Sequence, residues 1–345
     1  MGSYAIGVDL GGTNLRIAAV DQDGKILDRV TAGTAVVLGR DQVIDEMCRA
    51  IQAVTAKFKS SRLLGIGIGV PGIIDLHTGM LRQSPNLPGW EDYPVQHEIE
   101  RRLGTKVFLE NDANVAALGE HWLGAAAGHD SACMITLGTG VGGGLVLNGR
   151  IWHGMLGMAA ELGHTNIEPD GAPCGCGGRG CLEQYASSKA IKRMAAEAAA
   201  GGQAPRLAQA IKDANFGSVS VYELAMAGDA ASQQIFRRMG TALGIAVADL
   251  INIFNLPIYV IGGGVAASWD AFAPAMFDAV RKYSYIYRAT APSPAEQVVK
   301  AGPHAEPSTG KTMIARALLG GDAGLIGAGR LPVATLQTAG ETESL

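Results

Sequence analysis

Residues 5–26, AIGVDLGGTNLRIAAVDQDGKI, share a plan with residues 132–151, ACMITLGTGVGGGLVLNGRI. Each stretch reads as an apolar strand, a glycine-rich turn, a second apolar strand, a tight turn and a third strand. The tight turns contain Asp23-Gly24 and Asn148-Gly149, dipeptides that tolerate the positive φ angles of two-residue hairpin turns. The repetition predicts two similar α/β lobes that present glycine-rich turns to a shared cleft. Two unrelated glycine-rich hairpins would give the same local pattern.

Helix and strand signals alternate after each of these stretches, as in α/β proteins. The predicted elements are, in chain order, a helix from Asp41 to Phe58, strands at 63–70 and 106–109, a helix at 114–123, a helix at 240–254, a strand at 258–261, and a last helix near 311–319. Asp41 is placed to cap the first helix, whose apolar residues recur every three or four positions. From about Val333 the chain is predicted to be a frayed polar tail.

The composition is that of a folded chain without a strong charge bias. Hydrophobic residues make up 48% of the 345 residues and charged residues 17%, which excludes a disordered chain. The 28 Lys and Arg against 32 Asp and Glu give a formal net charge of −4, without the cationic surplus of a dedicated nucleic-acid binder. The 48 glycines are about twice the usual share of about 7%, which predicts many tight turns and close backbone contacts.

Terminal sequence, apolar segments and cysteines bear on location. The first residues, MGSYAIGVDLGG, lack the basic region and long apolar core of a signal peptide. Polar residues interrupt the most apolar later stretch, 240–264, so no membrane span is expected. Three of the five cysteines fall within eight residues, a pattern that favours metal ligation over disulfides. Together these features predict a cytoplasmic protein that binds neither membranes nor nucleic acids.

Three glycine-rich turns, at 9–14, 138–144 and 262–264, predict phosphate binding. Backbone N–H groups exposed by such turns form concavities that accept anions. The first turn adds Asp9, suited to hydrated Mg²⁺, and Thr13, whose hydroxyl suits a phosphate oxygen. A single turn of this kind is often only structural, and the occurrence of three favours a nucleotide.

A further segment, AEPSTGKT at 305–312, resembles the end of a P-loop. It has Ala where the stricter pattern has Gly, and no clear buried strand precedes it. We interpret it as a surface loop that opens a helix.

A cysteine-rich segment, GAPCGCGGRGC at 171–181, holds five glycines and almost no apolar residues, so it cannot build its own core. Three thiolates and one imidazole give a closed tetrahedral site in which zinc supplies the missing stabilisation. His164 is the nearest candidate for the fourth ligand. Free thiols in a loop are the alternative. Cys48 and Cys133 lie on apolar elements and are interpreted as core residues.

Polar residues gather near the predicted junction of the lobes. Residues 110–114, ENDAN, follow a strand and precede a helix, where α/β folds place ligands. Asp112 either caps that helix or acts as a general base. Glu161, three residues before His164, and Glu183 flank the cysteine segment, so a metal would hold both in place. Convergent carboxylates and amides are what a polyol such as a sugar requires. The remaining histidines considered, interpreted as surface or hydrogen-bonded residues, are His121, His129 and His153.

Taken together, several motifs are specific enough to indicate a family. They are GVDLGGTN (7–14), VPG (70–72), SPNLPGW (84–90), ENDAN (110–114), LGTGVGGG (137–144), ELGH (161–164) and CGCGGRGCLE (174–183). From about residue 4 to about residue 330 the chain closely resembles bacterial glucokinases of the ROK family (repressors, open reading frames and kinases). The resemblance implies the α/β, two-lobed actin-like ATPase fold shared by hexokinase and actin, with duplicated ribonuclease H-like lobes and a structural zinc loop.

This fold implies a division of the chain. We expect a small N-terminal lobe at 1–118 with the first phosphate loop, sugar-site residues and the catalytic aspartate. A large C-terminal lobe at 119–310 would carry the second phosphate loop, the zinc loop and the adenosine motif. A helix at 311–332 would pack back on the N-terminal lobe, followed by a flexible tail at 333–345.

The resemblance also implies roles for individual residues. Asp112 would be the base that accepts the proton of the sugar's 6-hydroxyl, with Mg-ATP as donor. The residues implied to contact the sugar are Gly72, Asn86, Asn111, Asp112, Glu161, His164 and Glu183. Those implied to hold the ATP phosphates and Mg²⁺ are Asp9, Gly11, Gly12, Thr13, Asn14, Gly138, Thr139 and Gly140, with Gly262, Gly263 and Gly264 near the adenosine. Structural Zn²⁺ is implied on His164, Cys174, Cys176 and Cys181, so that His164 would serve metal and sugar through its two ring nitrogens.

Alternative functions remain at this level. Kinases of N-acylmannosamine, fructose, allose and N-acetylglucosamine share most of these motifs, and polyphosphate is an alternative donor, although no basic run marks a track for it. A sugar-sensing repressor would carry a DNA-binding module before the first phosphate-loop strand, which here begins by about residue 4. A zinc-stabilised sugar-binding protein without catalysis is a further alternative. A homodimer is expected from the resemblance alone.

Overall fold

The computed structural model describes residues 2–34, 36–293, 296 and 310–342, with residues 336–342 described by backbone only. The strands are β1 (Ser3–Leu10), β2 (Asn14–Asp21), β3 (Ile26–Gly33), β4 (Arg62–Val70), β5 (Ile73–Asp75), β6 (Met80–Gln83), β7 (Val107–Asn111), β8 (Ala132–Leu137), β9 (Val141–Leu147), β10 (Arg150–Ile151), β11 (Ile258–Gly262) and β12 (Met313–Arg316). The helices are α1 (Arg40–Thr55), α2 (Val95–Leu103), α3 (Asp112–Leu123), α4 (Glu183–Ala186), α5 (Ser188–Ala200), α6 (Pro205–Ala210), α7 (Ser218–Met226), α8 (Ala230–Phe254), α9 (Trp269–Tyr283), α10 (Tyr287–Thr290) and α11 (Ala323–Thr342).

Two five-stranded sheets with the same topology organise these elements. Their strand orders are β3-β2-β1-β4-β7 and β10-β9-β8-β11-β12. In each sheet the first three strands form an antiparallel meander, and the other two join in parallel. Each sheet packs against its own apolar cluster. The duplicated plan predicted from residues 5–26 and 132–151 is therefore confirmed.

The fifth strand of the second sheet corrects one prediction. Met313–Arg316 pairs in parallel with β11, so the helix predicted near 311–319 is wrong. The apolar spacing of this segment suits a helix or a strand, and the open edge beside β11 decides for the strand. Ile314 is 2% exposed within the core of the second lobe. The last helix begins at Ala323 and continues to Thr342, through much of the segment expected to be a frayed tail.

Other helix boundaries also differ from the predictions. The N-cap of α1 is Gly39, and Asp41 lies in the first turn, so Asp41 is not the cap. Helix α8 begins at Ala230, ten residues before the predicted Gly240, because the Asp229 side chain accepts a hydrogen bond from the Ser232 amide at 2.9 Å and caps it.

Two segments were singled out in the sequence for other reasons. Most of the P-loop-like stretch 305–312 lies outside the described residues. Among the helices that the structure does describe, none combines the length and apolarity needed to cross a bilayer.

The two lobes are joined by the helices that follow their fifth strands. Helix α3 follows β7 and packs against β8 and β9 of the other sheet, whereas α11 follows β12 and packs against β1 and β4. The two helices also pack against each other through glycines. A Cβ atom at Gly327 would lie 1.7 Å from the Val115 carbonyl oxygen, and one at Gly119 would lie 2.3 Å from that of Ala323. Glycine is therefore required at this crossing, which accounts for part of the glycine excess.

A buried carboxylate holds the segments that carry the chain between the lobes. Glu120 on α3 is fully buried, and its carboxylate accepts hydrogen bonds from the amides of Ala125 (2.8 Å), Leu318 (3.0 Å) and Leu319 (2.8 Å). Ala125 lies in the connection from α3 to β8, and the two leucines lie in the connection from β12 to α11. One side chain therefore ties both connections together.

Candidate functional site

The first glycine-rich turn lies where β1 ends. The Gly11 amide donates to the Asn14 carbonyl at 2.8 Å, and the Thr34 hydroxyl donates to the Gly11 carbonyl at 2.7 Å. A Cβ atom at Gly12 would lie 2.7 Å from the backbone oxygen of Asn86. The turn therefore lies directly against one of the predicted sugar residues, and the side chain of Thr13 is left exposed.

Asp9 lies at the end of β1 beside this turn and is already paired. Its carboxylate forms an ion pair with Arg16 of β2, which also donates to the Gly321 carbonyl. A Cβ atom at Gly324, in the first turn of α11, would lie 3.0 Å from Asp9 Oδ2. The acid proposed for Mg²⁺ therefore lies at a helix N-terminus with a guanidinium as its present partner. Arg16 has no motif around it, and sequence reasoning missed it.

The corner between β7 and α3 holds the predicted base. Asn111 caps α3, since its Oδ1 accepts hydrogen bonds from the amides of Ala113 (2.9 Å) and Asn114 (3.3 Å). The Asn111 Nδ2 donates to the Gly72 carbonyl at 3.1 Å, which links this corner to the turn after β4. Asp112 is thus not the helix cap, which removes the structural alternative for this residue. Its Oδ1 accepts only from the Ala113 amide, at 3.0 Å, among the hydrogen bonds of the described residues.

The surroundings of Asp112 favour its protonated form. Burial is the largest cause, the negative charge of Asp9 is the next, and that of Glu161 adds to them, which together raise the pKa of Asp112 to about 6. Carboxylates from both lobes therefore converge on one place. A carboxylate with a pKa near neutrality is deprotonated at pH 7 and is still basic enough to take a proton from a hydroxyl group.

The second glycine-rich turn lies against Glu183. The Val141 amide donates to Glu183 Oε2 at 3.0 Å, and a Cβ atom at Gly140 would lie 2.3 Å from the same oxygen. Glu183 therefore contacts the second glycine-rich turn directly, a contact that its prediction as a sugar residue did not include. The Gly138 carbonyl accepts from the Ser188 amide at 2.8 Å, which ties this turn to the start of α5, and Thr139 is exposed.

The third glycine turn lies beside the second. Gly263 has a φ of +85°, and a Cβ atom there would lie 2.4 Å from the carbonyl oxygen of Leu137, the residue before the second turn. Gly263 and Gly264 are exposed, while Gly262 closes the end of β11. The predicted adenosine motif is therefore adjacent to the predicted phosphate turn.

The cysteine segment brings its predicted ligands together. The ligand atoms of His164, Cys174, Cys176 and Cys181 all lie within 4.8 Å of one another. His164 Nδ1 lies 3.7 Å from Cys174 Sγ, and Cys176 Sγ lies 3.7 Å from Cys181 Sγ. A tetrahedron with metal–sulfur bonds of about 2.3 Å has edges of about 3.8 Å, so the donor set fits a tetrahedral ion such as zinc. The Gly178 amide lowers the pKa of Cys176, which favours the thiolate.

One interaction near the base was missed from the sequence. Glu110, interpreted only as part of ENDAN, is 4% exposed and accepts from His153 Nε2 at 2.6 Å. From the sequence, His153 was interpreted as a surface or hydrogen-bonded residue, with no partner named. It belongs to the other lobe, and no local pattern relates two residues 43 positions apart.

Comparison with known proteins gives consistent matches over most of the chain. The ROK family is matched by residues 5–328. The glucokinase of Thermotoga maritima is 43% identical over 268 residues, which cover 77% of this chain and 83% of that protein. The xylose repressor of Bacillus subtilis is 30% identical over 77% of this chain and 65% of the repressor.

Solved structures match nearly the full length. The ROK hexokinase of Thermus thermophilus is similar with a TM-score of 0.76 and 32% identity, over 97% of this chain and 99% of that one. A ROK family glucokinase of Streptomyces griseus, solved with glucose and AMPPNP, is similar with a TM-score of 0.75 and 32% identity, over 95% and 98% of the two chains.

Proposed function

The chain belongs to the ROK family, and from this premise we propose that it is a glucokinase that transfers the γ-phosphoryl group of ATP to the 6-hydroxyl of glucose. The family predicted from the sequence motifs is confirmed, and the actin-like kinase fold is supported with it. The observation that carries the proposal is Asp112, a partly buried carboxylate that is released from helix capping, has a pKa of about 6 and lies near the first phosphate turn.

The chemistry assigned to Asp112 is general base catalysis. Its carboxylate accepts the proton of the sugar's 6-hydroxyl as that oxygen bonds to the γ-phosphorus. The bond from the γ-phosphorus to the bridging oxygen breaks, and ADP leaves with that oxygen. Amides of the turns at 9–14 and 138–144 bind the phosphate oxygens, with adenosine at Gly262–Gly264. Mg²⁺, when bound with ATP, neutralises the charge on the transferred group, and Asp9 is the side chain assigned to its water shell.

The sugar site is assigned to groups around this corner. Asn111 bridges Asp112 to Gly72, and Asn86 lies against Gly12, so these residues border both the sugar and the first phosphate turn. Glu161 and His164 are exposed, and Glu183 joins them from α4 beside the second turn. The carboxylates of Glu161 and Glu183 accept hydrogen bonds from sugar hydroxyls, and the free ring N–H of His164 donates one, which fixes the hexose with its 6-hydroxyl toward Asp112.

A structural zinc ion is part of the proposal. His164 faces Cys174 with Nδ1, so its Nε2 is left for the sugar. Zinc on Cys174, Cys176, Cys181 and His164 would fix the tautomer and orientation of that ring. It would also stabilise a loop that has almost no apolar side chains to bury.

We further propose that the protein is a homodimer and that it is cytoplasmic. Support for self-association comes from exposed apolar side chains at the end of α8 and after α9. Ile253 is 70% exposed and Tyr285 is 80% exposed, and Asn252 accepts a hydrogen bond from the Ile286 amide, which brings the two segments together. Light scattering coupled to size-exclusion chromatography measures the mass directly, and a monomer at micromolar concentration would contradict this part.

The deciding experiment is a coupled ADP-release assay with Mg-ATP and glucose, mannose, fructose, N-acetylglucosamine or N-acetylmannosamine. Selective turnover of glucose is expected. Selective turnover of another sugar would keep the mechanism and change the substrate. Silence with every sugar in a folded, zinc-loaded protein would contradict the kinase proposal and favour a sugar sensor. Repeating the assay with polyphosphate in place of ATP, read out as glucose 6-phosphate, tests the donor.

A further inference from the structure

The carboxylate of Glu110 organises the residues on both sides of Asp112. Its Oε1 accepts hydrogen bonds from the Asn111 amide (2.8 Å) and from Asn114 Nδ2 (2.9 Å). Its Oε2 is bonded to His153 Nε2 at 2.6 Å. Glu110 is 4% exposed, so its two bonds within the first lobe are shielded from water, whereas the His153 side chain remains 39% exposed.

His153 reaches this carboxylate from the second lobe. It follows β10, and the Trp152 amide before it donates to the Leu145 carbonyl of β9 at 2.8 Å. The His153 carbonyl accepts from the Ala159 amide at 3.0 Å. The backbone that carries the imidazole is therefore anchored in the second lobe, whereas Glu110 is the penultimate residue of β7, the fifth strand of the first sheet. Their hydrogen bond crosses from one lobe to the other, close to the predicted base.

We propose that Glu110 and His153 are positioning residues for the kinase reaction, which hold the Asn111–Asp112 corner from the opposite lobe. The inference rests on the proposed function for the reaction that it serves. His153 fixes one oxygen of the Glu110 carboxylate, and the other oxygen then holds the backbone amide of Asn111 and the side chain of Asn114. Without His153 the carboxylate rotates toward water, and the corner loses the bonds that set the direction of the Asp112 side chain.

Stabilising the end of β7 alone would not require these groups. Burying a carboxylate is unfavourable unless it is fully hydrogen-bonded, and apolar residues usually stabilise the end of a buried strand at least as well. Glu110 instead uses its oxygens for two residues that flank Asp112 and for one side chain of the other lobe. The hydrogen bond to Glu110 raises the pKa of His153 despite the opposing effect of burial, which indicates a charge-assisted bond.

The kinetic test compares His153→Ala, His153→Gln and a matched control, His97→Ala, which removes an exposed histidine from α2. A misplaced base lowers turnover by up to about a hundredfold. We expect His153→Ala to lower kcat by tenfold or more while KM for ATP is unchanged. His153→Gln, whose Nε2 can donate to Glu110 without a charge, restores most of the loss. Equal kcat in His153→Ala and His97→Ala would overturn the inference, as would a loss in His153→Gln equal to that in His153→Ala.

A second measurement does not depend on turnover. Titration of ¹³C-labelled histidines by NMR, with the His153 signal assigned from the His153→Ala spectrum, is expected to show a pKa above the ordinary value near 6.5. Glu110→Gln is expected to lower it. A His153 pKa that does not respond to Glu110→Gln would show that the two residues are unpaired in solution and would overturn the inference.

The two failures are distinguishable. A folded wild-type protein that is inactive with every sugar overturns the proposed function and, with it, the role assigned to the pair. Normal activity of His153→Ala beside an active wild type overturns the inference alone.

Discussion

The two lobes reach their fifth strands in the same way and then diverge. In the first lobe, β7 ends at Asn111, whose side chain caps α3 and leaves Asp112 uncommitted. In the second lobe, β12 ends at Arg316, and the chain passes through Leu318 and Leu319, whose amides bind the carboxylate of Glu120. The corner after β7 leaves the Asp112 side chain available for the proposed reaction. The corner after β12 uses backbone amides to bind the buried carboxylate of Glu120.

The segments inserted into each sheet differ in a similar way. The first lobe adds the short β5–β6 hairpin and the 84–90 segment, which places Asn86 against the first glycine-rich turn. The second lobe adds the cysteine segment and helices α4 to α10 between β10 and β12. The duplicated sheets supply a symmetric frame, and residues added outside the repeat make the site asymmetric. Each prediction below removes one source of that asymmetry.

The largest effect is expected from Asp112→Asn, which removes the proposed base from the corner after β7, so that this corner, like the one after β12, has no catalytic side chain. A positioned base contributes about 10²–10⁴-fold, so kcat is expected to fall by that amount while glucose binding is retained. Steady-state kinetics and calorimetric titration with glucose measure the two quantities. Asp278→Asn, a change at an exposed carboxylate of α9, is the control. A kcat close to that of the control would remove Asp112 from its role.

The next effect concerns the cysteine segment, which has no counterpart in the first lobe. If the proposed zinc site is right, Cys176→Ser releases the ion, lowers Tm and weakens glucose binding, because His164 would lose the metal that orients its ring. Metal content by mass spectrometry, thermal unfolding and glucose titration follow the three changes. Cys48→Ala, in the core of the first lobe, is expected to keep zinc at the wild-type level. Full glucose affinity in metal-free Cys176→Ser would refute the structural role of the ion.

A third prediction follows from the pKa of about 6 at Asp112. The folded state binds this proton more tightly than the unfolded chain, whose Asp pKa is about 3.9, so the group lowers stability as pH rises from about 4 to 6 and keeps that effect above 6. Asp112→Asn should therefore be more stable than wild type by up to about 3 kcal/mol at pH 7.5, and by about half as much at pH 5.

Urea unfolding at the two pH values measures this difference. In the wild type, kcat/KM for glucose should rise with pH through about 6, since only the deprotonated carboxylate accepts a proton. A stability gain independent of pH would assign the effect to packing instead of charge.

The smallest effect is expected at Glu120, which binds the backbone after β12. In Glu120→Gln one of the two acceptor oxygens becomes a donor that faces backbone amides, which should lower stability by about 1–3 kcal/mol. Urea unfolding measures this loss, with Glu223→Gln on the exposed face of α7 as control. Unfolding equal to that of the control would mean that water replaces the carboxylate at this junction.

The sequence predicts the local elements of this molecule better than the contacts between residues that are distant in the chain. The glycine-rich turns, the paired meanders and the four donors of the cysteine segment follow from local patterns, because each depends on residues near one another in the chain. The strand at 313–316 was predicted as a helix because its partner β11 is about fifty residues away. The same distance problem hides the pairing of His153 with Glu110 and of Arg16 with Gly321, whereas Arg16 and Asp9 are cross-strand neighbours in the β1–β2 hairpin. The assignment of Asn111 rather than Asp112 as the cap required the geometry of the corner.

The exchange of helices between the lobes has a consequence for synthesis on the ribosome. The first sheet is complete once Asn111 has been made, but α11, which covers β1 and β4, begins only at Ala323. At about 5–20 residues per second, the apolar face of that sheet waits about 10–40 s for its cover. The nascent first lobe therefore leaves the face that α11 covers unpaired with its helix for most of translation. The packing of α11 on β1 and β4, which completes the small lobe, is therefore among the last steps of folding.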